Sequence, residues 1–179
     1  MEDSIQNEKP VAGDAVELVS RIVSFINEIG IACRAGELLH STFLPGIDIQ
    51  LGAIIYDPAR MKHPGDLLHE AGHLSVLPPE NRRQANGSEH LDNGISGPAA
   101  EMAAIAWSWA ARERLEIPPE VLFHEHGYAG SSPSLLENFG NRKYLGVPLL
   151  QWMGMTTEPK ACIDADEETY PKMKHWLRQ

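Results

Sequence analysis

The sequence predicts an α+β domain in which a small antiparallel sheet packs against one helix carrying the chemically distinctive residues and against a second helix beside it. Three observations lead there. Apolar residues recur at helical spacing over 14–29, a β-prone run, Ala53-Ile54-Ile55-Tyr56, stands later in the chain, and two helical stretches follow it within 64–115. With 42% apolar and 22% charged residues and no internal repeat, the 179 residues fit one globular domain spanning 1–179.

The first helix is expected from about Asp14 to Ile29, with Ala15, Leu18, Val19, Ile22, Val23, Phe25, Ile26 and Ile29 on its inner face. Asp14 and Glu17 resemble a capping box at its start, and Gly30 stops it. From Ile31 to Asp57 short apolar runs broken by Gly36, Pro45, Gly46 and Gly52 read as strands, the last directly before the next helix. That helix begins near Pro64, which suits a first helical position, and finishes before Pro78-Pro79. Residues 80–97, polar and rich in Asn and Gly, read as a long surface connection. An alanine-rich helix follows Gly97-Pro98 and runs to about Leu115. Short helices are expected at Pro118–His124, Ser132–Phe139 and Val147–Met153, with loose tails at 1–13 and 157–179.

The formal net charge of −10 repels polyanions, so no nucleic-acid partner is expected. The acidic, polar N-terminus does not read as a secretory signal, and no apolar run approaches the roughly 18 residues that span a bilayer, so no membrane partner is expected either. Cys33 and Cys162 lie far apart and read as reduced thiols of a cytoplasmic protein, a disulfide between them being the alternative. The sequence leaves the oligomeric state open.

Residues 67–74, Leu-Leu-His-Glu-Ala-Gly-His-Leu, contain the pattern H-E-x-x-H inside an expected helix. Residues four apart share a helical face about 6 Å apart along the axis, so His69 and His73 can aim imidazole nitrogens at one Zn2+ ion. Glu70 follows the first histidine and can lean towards a water activated by the ion, accepting its proton as general base. An accidental pair of surface histidines would not need Leu67, Leu68, Ala71 and Leu74 around it.

A catalytic zinc takes three protein ligands. The extension H-E-x-x-H-x-x-G-x-x-H fails, because Val76 and Pro79 occupy the required Gly and His positions. Glu101, in the first turn of the alanine-rich helix, is the better third ligand. Gly72 on the motif helix allows close approach of another helix, and Ala100, Ala103 and Ala104 would face it. The plainer reading of Glu101 is an acid suited to the helix dipole. His90 and Asp92 on the long connection, and His124 and His126 further on, are rival ligands, whereas His40, His63 and His175 read as surface or capping histidines.

At His69-Glu70-Ala71-Gly72-His73 followed by Glu101-Met102-Ala103-Ala104, the chain resembles the gluzincin branch of zincin metallopeptidases, and more particularly the compact ImmA/IrrE type, over residues 50–112. The resemblance implies a zincin-like fold, zinc held by His69, His73 and Glu101, Glu70 as base, and the strand Gly52–Tyr56 lining the cleft for a peptide or protein substrate. As an exposed edge, that strand would pair with an extended peptide; a central buried strand is the competing reading. The thermolysin-like Asn and Asp around the third ligand are here Ala100 and Ile105, which leaves the partner of a ligand histidine to be found, Asp66 being one option. Only Ala104 matches the Ala-Asn that ImmA/IrrE-like proteins carry after the Glu, and no helix-turn-helix module is visible. An oxyanion donor would come from His124, His126 or Tyr128, or else these residues form a polar loop capping a short helix. The expected activity is zinc-dependent peptide-bond hydrolysis. The alternatives are an amidohydrolase for a small non-peptide amide and an inactive metal-binding interaction module.

Overall fold

The computed structural model describes residues 12–87, 97–159 and 168–179. The first helix, α1 (Ala12–Glu28), buries Ile22, Phe25 and Ile26. It starts ahead of Asp14, which therefore sits inside the first turn and does not cap it. Its end is a Schellman arrangement: the Gly30 N–H donates to the Asn27 carbonyl and the Ile31 N–H to the Ile26 carbonyl. The Asn27 side chain then clamps the next strand, donating to the Cys33 carbonyl at 2.8 Å and accepting from the Cys33 N–H at 3.1 Å.

Three strands form one sheet in the order β1-β3-β2: β1 (Cys33–Ala35), β2 (Ile47–Gln50) and β3 (Ala53–Tyr56). The sheet is mixed, where the sequence suggested an antiparallel one: β2 and β3 are antiparallel, but β1 runs parallel to β3. The reason is geometric. β1 ends and β2 begins at the same end of the sheet, opposite Tyr56, so the connection between them reverses the chain, and β3, reversed again, returns to the direction of β1. The β2–β3 turn is Leu51-Gly52 with φ of 50° and 76°, the two-residue hairpin geometry with both central residues left-handed. Gly52 is required there twice, since a Cβ would also lie 2.3 Å from the Arg82 carbonyl oxygen.

β3 is the central strand, hydrogen-bonded on both sides, and its Ile54 and Ile55 are buried. The expectation that it offers a free edge to a peptide is overturned, because its backbone donors and acceptors are already committed to β1 and β2.

The motif helix α2 (Gly65–Val76) packs across α4 (Gly97–Arg114). A Cβ at Gly72 would stand 2.7 Å from the Ala104 carbonyl oxygen and 2.9 Å from Ser108 Oγ, so the glycine sets how closely the helices approach. Ser108 Oγ donates across the contact to the Leu68 carbonyl at 3.0 Å. Between these helices lies the short α3 (Pro79–Arg82), within the stretch expected to be a plain surface connection. Its Arg82 caps the end of α2, donating to the carbonyls of Leu74 and Leu77, both at 2.9 Å. The chain continues through α5 (Pro119–Leu122), a 3-10 turn at Tyr128–Gly130, α6 (Ser132–Gly140) and α7 (Val147–Trp152).

Residues 168–179, expected within a loose tail, are packed. Tyr170 is 2% exposed and its hydroxyl donates to the Ala106 carbonyl. The Trp176 carbonyl accepts from Trp107 Nε1 at 2.9 Å, and its ring meets Phe25 edge to face at 4.9 Å. No helix among the described residues is long and apolar enough to cross a membrane.

Candidate metal centre

Because α2 places residues 69 and 73 one turn apart, their imidazoles converge, with Nε2 atoms 3.1 Å from each other. The close packing of α4 on α2 at Gly72 brings Glu101 over the same point from the other helix. Its Oε1 lies 3.5 Å from His69 Nε2 and its Oε2 lies 3.0 Å from His73 Nε2. Among the described residues this is the group of three that could hold a metal ion. Taking one ligand atom from each residue, the three lie within 4.8 Å of one another, close enough to converge on one ion with bonds of about 2.0–2.1 Å.

The electrostatics suit a cation as well. Burial, reinforced by the neighbouring His73, pushes His69 down to about 3, so its imidazole is neutral and free to ligate at neutral pH. Burial works against the charge of Glu101, yet the hydrogen bond with His73 and the proximity of His69 leave its carboxyl below the usual range. His73 is raised, its burial outweighed by Glu101 and Glu70. One neutral ring and one carboxylate thus already face the point where an ion would sit.

Glu70 is 1% exposed, lies close enough to His73 for its charge to act on it, and lines the same cleft. That cleft has a volume of about 1110 Å³. Its floor holds the His69, His73 and Glu101 side chains, and Leu44, Ile105, Leu135 and Leu145 contribute apolar walls.

The loop after α5 supplies the other polar groups. His124 Nε2 pairs with Asp66 Oδ1 at 3.0 Å, and both side chains are largely buried. Asp66, one turn before His69, therefore engages His124 and not a ligand histidine. His124 stacks flat on His63, with ring centroids 3.7 Å apart and planes 7° apart. His126 is exposed, lines the cleft and lies 6.0 Å from His63 between ring centroids. The Tyr128 hydroxyl stands 3.4 Å from His69 Nδ1. His90 and Asp92, the rival ligands on the long connection, lie outside the described residues.

The structure therefore brings Glu70, His126 and Tyr128 into one cleft with His69, His73 and Glu101. His63 belongs to the same cleft although the sequence read it as a surface or capping residue. Nothing at short range marks it: its partner His124 is 61 positions away, and only the packing of α5 against α2 stacks the two rings. Comparison with protein-family models, with curated proteins and with solved structures found no match to this chain.

Proposed function

We propose that this chain is a zinc-dependent metallohydrolase of gluzincin, ImmA/IrrE-like character that cleaves peptide bonds, with Glu70 as general base. The observation that carries it is the convergence of His69, His73 and Glu101 from two helices, with one ligand atom of each within 4.8 Å of the others and a buried carboxylate, Glu70, at their side. When bound, the ion supplies Lewis acidity and lowers the pKa of water. The chain's own groups do the rest. His69 presents a neutral imidazole and Glu101 a carboxylate, while His73 gives up its proton when the ion binds. Glu70, on the same helix but not among the three convergent donors, is placed to take a proton from water and return it to a leaving amine. Its burial favours catalysis over a purely structural site, which has no use for a second acid that does not ligate.

A cleft of about 1110 Å³, near the upper end of the roughly 300–1,000 Å³ of small-molecule pockets, leaves room for a peptide segment. A reducing, cytoplasmic setting fits the buried thiol of Cys33. Since β3 is central, substrate would be held by the cleft walls, including the segment before β2 at Phe43–Pro45, and not by pairing with β3.

Native mass spectrometry and metal analysis test the centre: one zinc per chain is expected in the parent, with the affinity lost in Glu101→Ala. Glu70→Gln is expected to keep the metal and lose at least 100-fold in hydrolysis of a peptide library. Full zinc affinity in Glu101→Ala, or equal turnover by Glu70→Gln and the parent, overturns the respective assignment.

A further inference from the structure

The two ring nitrogens of His69 have different surroundings. Nε2 faces His73 Nε2 at 3.1 Å and Glu101 Oε1 at 3.5 Å, whereas Nδ1 faces the Tyr128 hydroxyl at 3.4 Å. The Tyr128 ring meets the His69 ring edge to face at 5.1 Å and is backed by Phe123 at 5.2 Å. We propose that Tyr128 is the positioning residue of His69: its hydroxyl oxygen accepts the Nδ1–H and so holds the tautomer whose Nε2 lone pair points at the ion. This rests on the metal-centre reading above and assigns Tyr128 a place different from an oxyanion donor. Nδ1 and Nε2 point away from each other across the ring, so a hydroxyl seated on Nδ1 stands on the side of His69 remote from the ion.

The backbone is arranged to put it there. Tyr128 and Ala129 are consecutive left-handed residues, with φ of 54° and 50°, a conformation disfavoured for any residue but glycine. Gly127 and Gly130 flank the pair, yet tyrosine and alanine occupy these positions. The turn is also tied to the elements around it. The His124–Asp66 pair fixes its start to α2, the helix that bears His69. Ser132 Oγ, at the head of α6, donates to the His124 carbonyl at 2.7 Å and to the Gly127 carbonyl at 3.3 Å. The phenol oxygen carries lone pairs that can accept the Nδ1–H. A histidine ligand whose other nitrogen is held in this way gains orientation and basicity, and losing the partner weakens metal binding about 10–100-fold.

Tyr128→Phe keeps the ring and its contacts with His69 and Phe123 and removes only the oxygen. Zinc affinity, measured by competition with a chromophoric chelator, is expected to fall about 10-fold or more, and the visible spectrum of the cobalt-loaded protein to change. A merely structural tyrosine would move neither reading. Equal zinc affinity and an identical cobalt spectrum in Tyr128→Phe overturn the proposal. A second measurement needs no variant: long-range 1H–15N spectra of the zinc-loaded parent are expected to show His69 protonated at Nδ1, and ligation through Nδ1 overturns the proposal however the variant folds. Failure of the underlying centre looks different, because then His69→Ala leaves zinc affinity unchanged.

Discussion

Cys33 shows how a single side chain on β1 couples the core to pH. It is 4% exposed, and burial pushes its thiol from near 9 up to about 12. Between those values the folded chain keeps a proton that the unfolded chain has released. The sign follows: the contribution is fully present below about pH 9 and is lost as pH rises towards 12, at about 1.4 kcal/mol per pH unit. Urea unfolding of the parent and of Cys33→Ala between pH 8 and 11 is expected to show the steeper alkaline loss in the parent. The same burial predicts that a thiol reagent leaves Cys33 unmodified until the protein is denatured. At this scale the convergence of His69 and His73 was legible in advance, because the two need only the periodicity of one helix to meet. His63 and the Asp66–His124 pair were not, because side chains separated by 58 or more positions meet only through packing.

Among the elements, the α2–α4 contact bears most directly on the centre, and Gly72 controls it. Alanine at 72 would gain about 1 kcal/mol in helix propensity. Its Cβ, however, would press on backbone, 2.7 Å from the Ala104 carbonyl oxygen, and overpacking of this kind costs about 1–3 kcal/mol. A net loss of up to about 2 kcal/mol in unfolding free energy is expected for Gly72→Ala, together with weaker binding of the proposed zinc, because Glu101 moves outward with α4. Unchanged zinc affinity would mean that the interhelical distance does not set the ligand geometry. The helices other than the short α3 could be read from apolar spacing and from Pro and Gly at their ends, to within a few residues. The sheet could be read only in part. The run Ala53–Tyr56 announces a strand, but three-residue β1 gives little pattern, and whether β3 is central or at an edge depends on which neighbour arrives beside it.

For the whole molecule, the last described stretch closes the core. Trp176 sits against Phe25 of α1 and Trp107 of α4, joining two helices that the sequence places far apart. Trp176→Ala is expected to cost about 2–3 kcal/mol, below the range for a fully buried tryptophan because this one is only half-buried. Urea denaturation monitored by circular dichroism would register it, and a midpoint equal to the parent's would show that the tail contributes no stability. By itself the sequence determined what depends on near neighbours: the longer helices, the breaks between them, and the histidine pair with its adjacent acid, since a rise of 1.5 Å per residue and 3.6 residues per turn fix those relations locally. The tertiary structure alone decided what depends on distant segments meeting: the mixed sheet with β3 inside it, the approach of Glu101 across Gly72, the seat of Tyr128 on His69, and the packed tail. Each of these relations is set by shape complementarity between surfaces, which the spacing of residues along one chain does not encode.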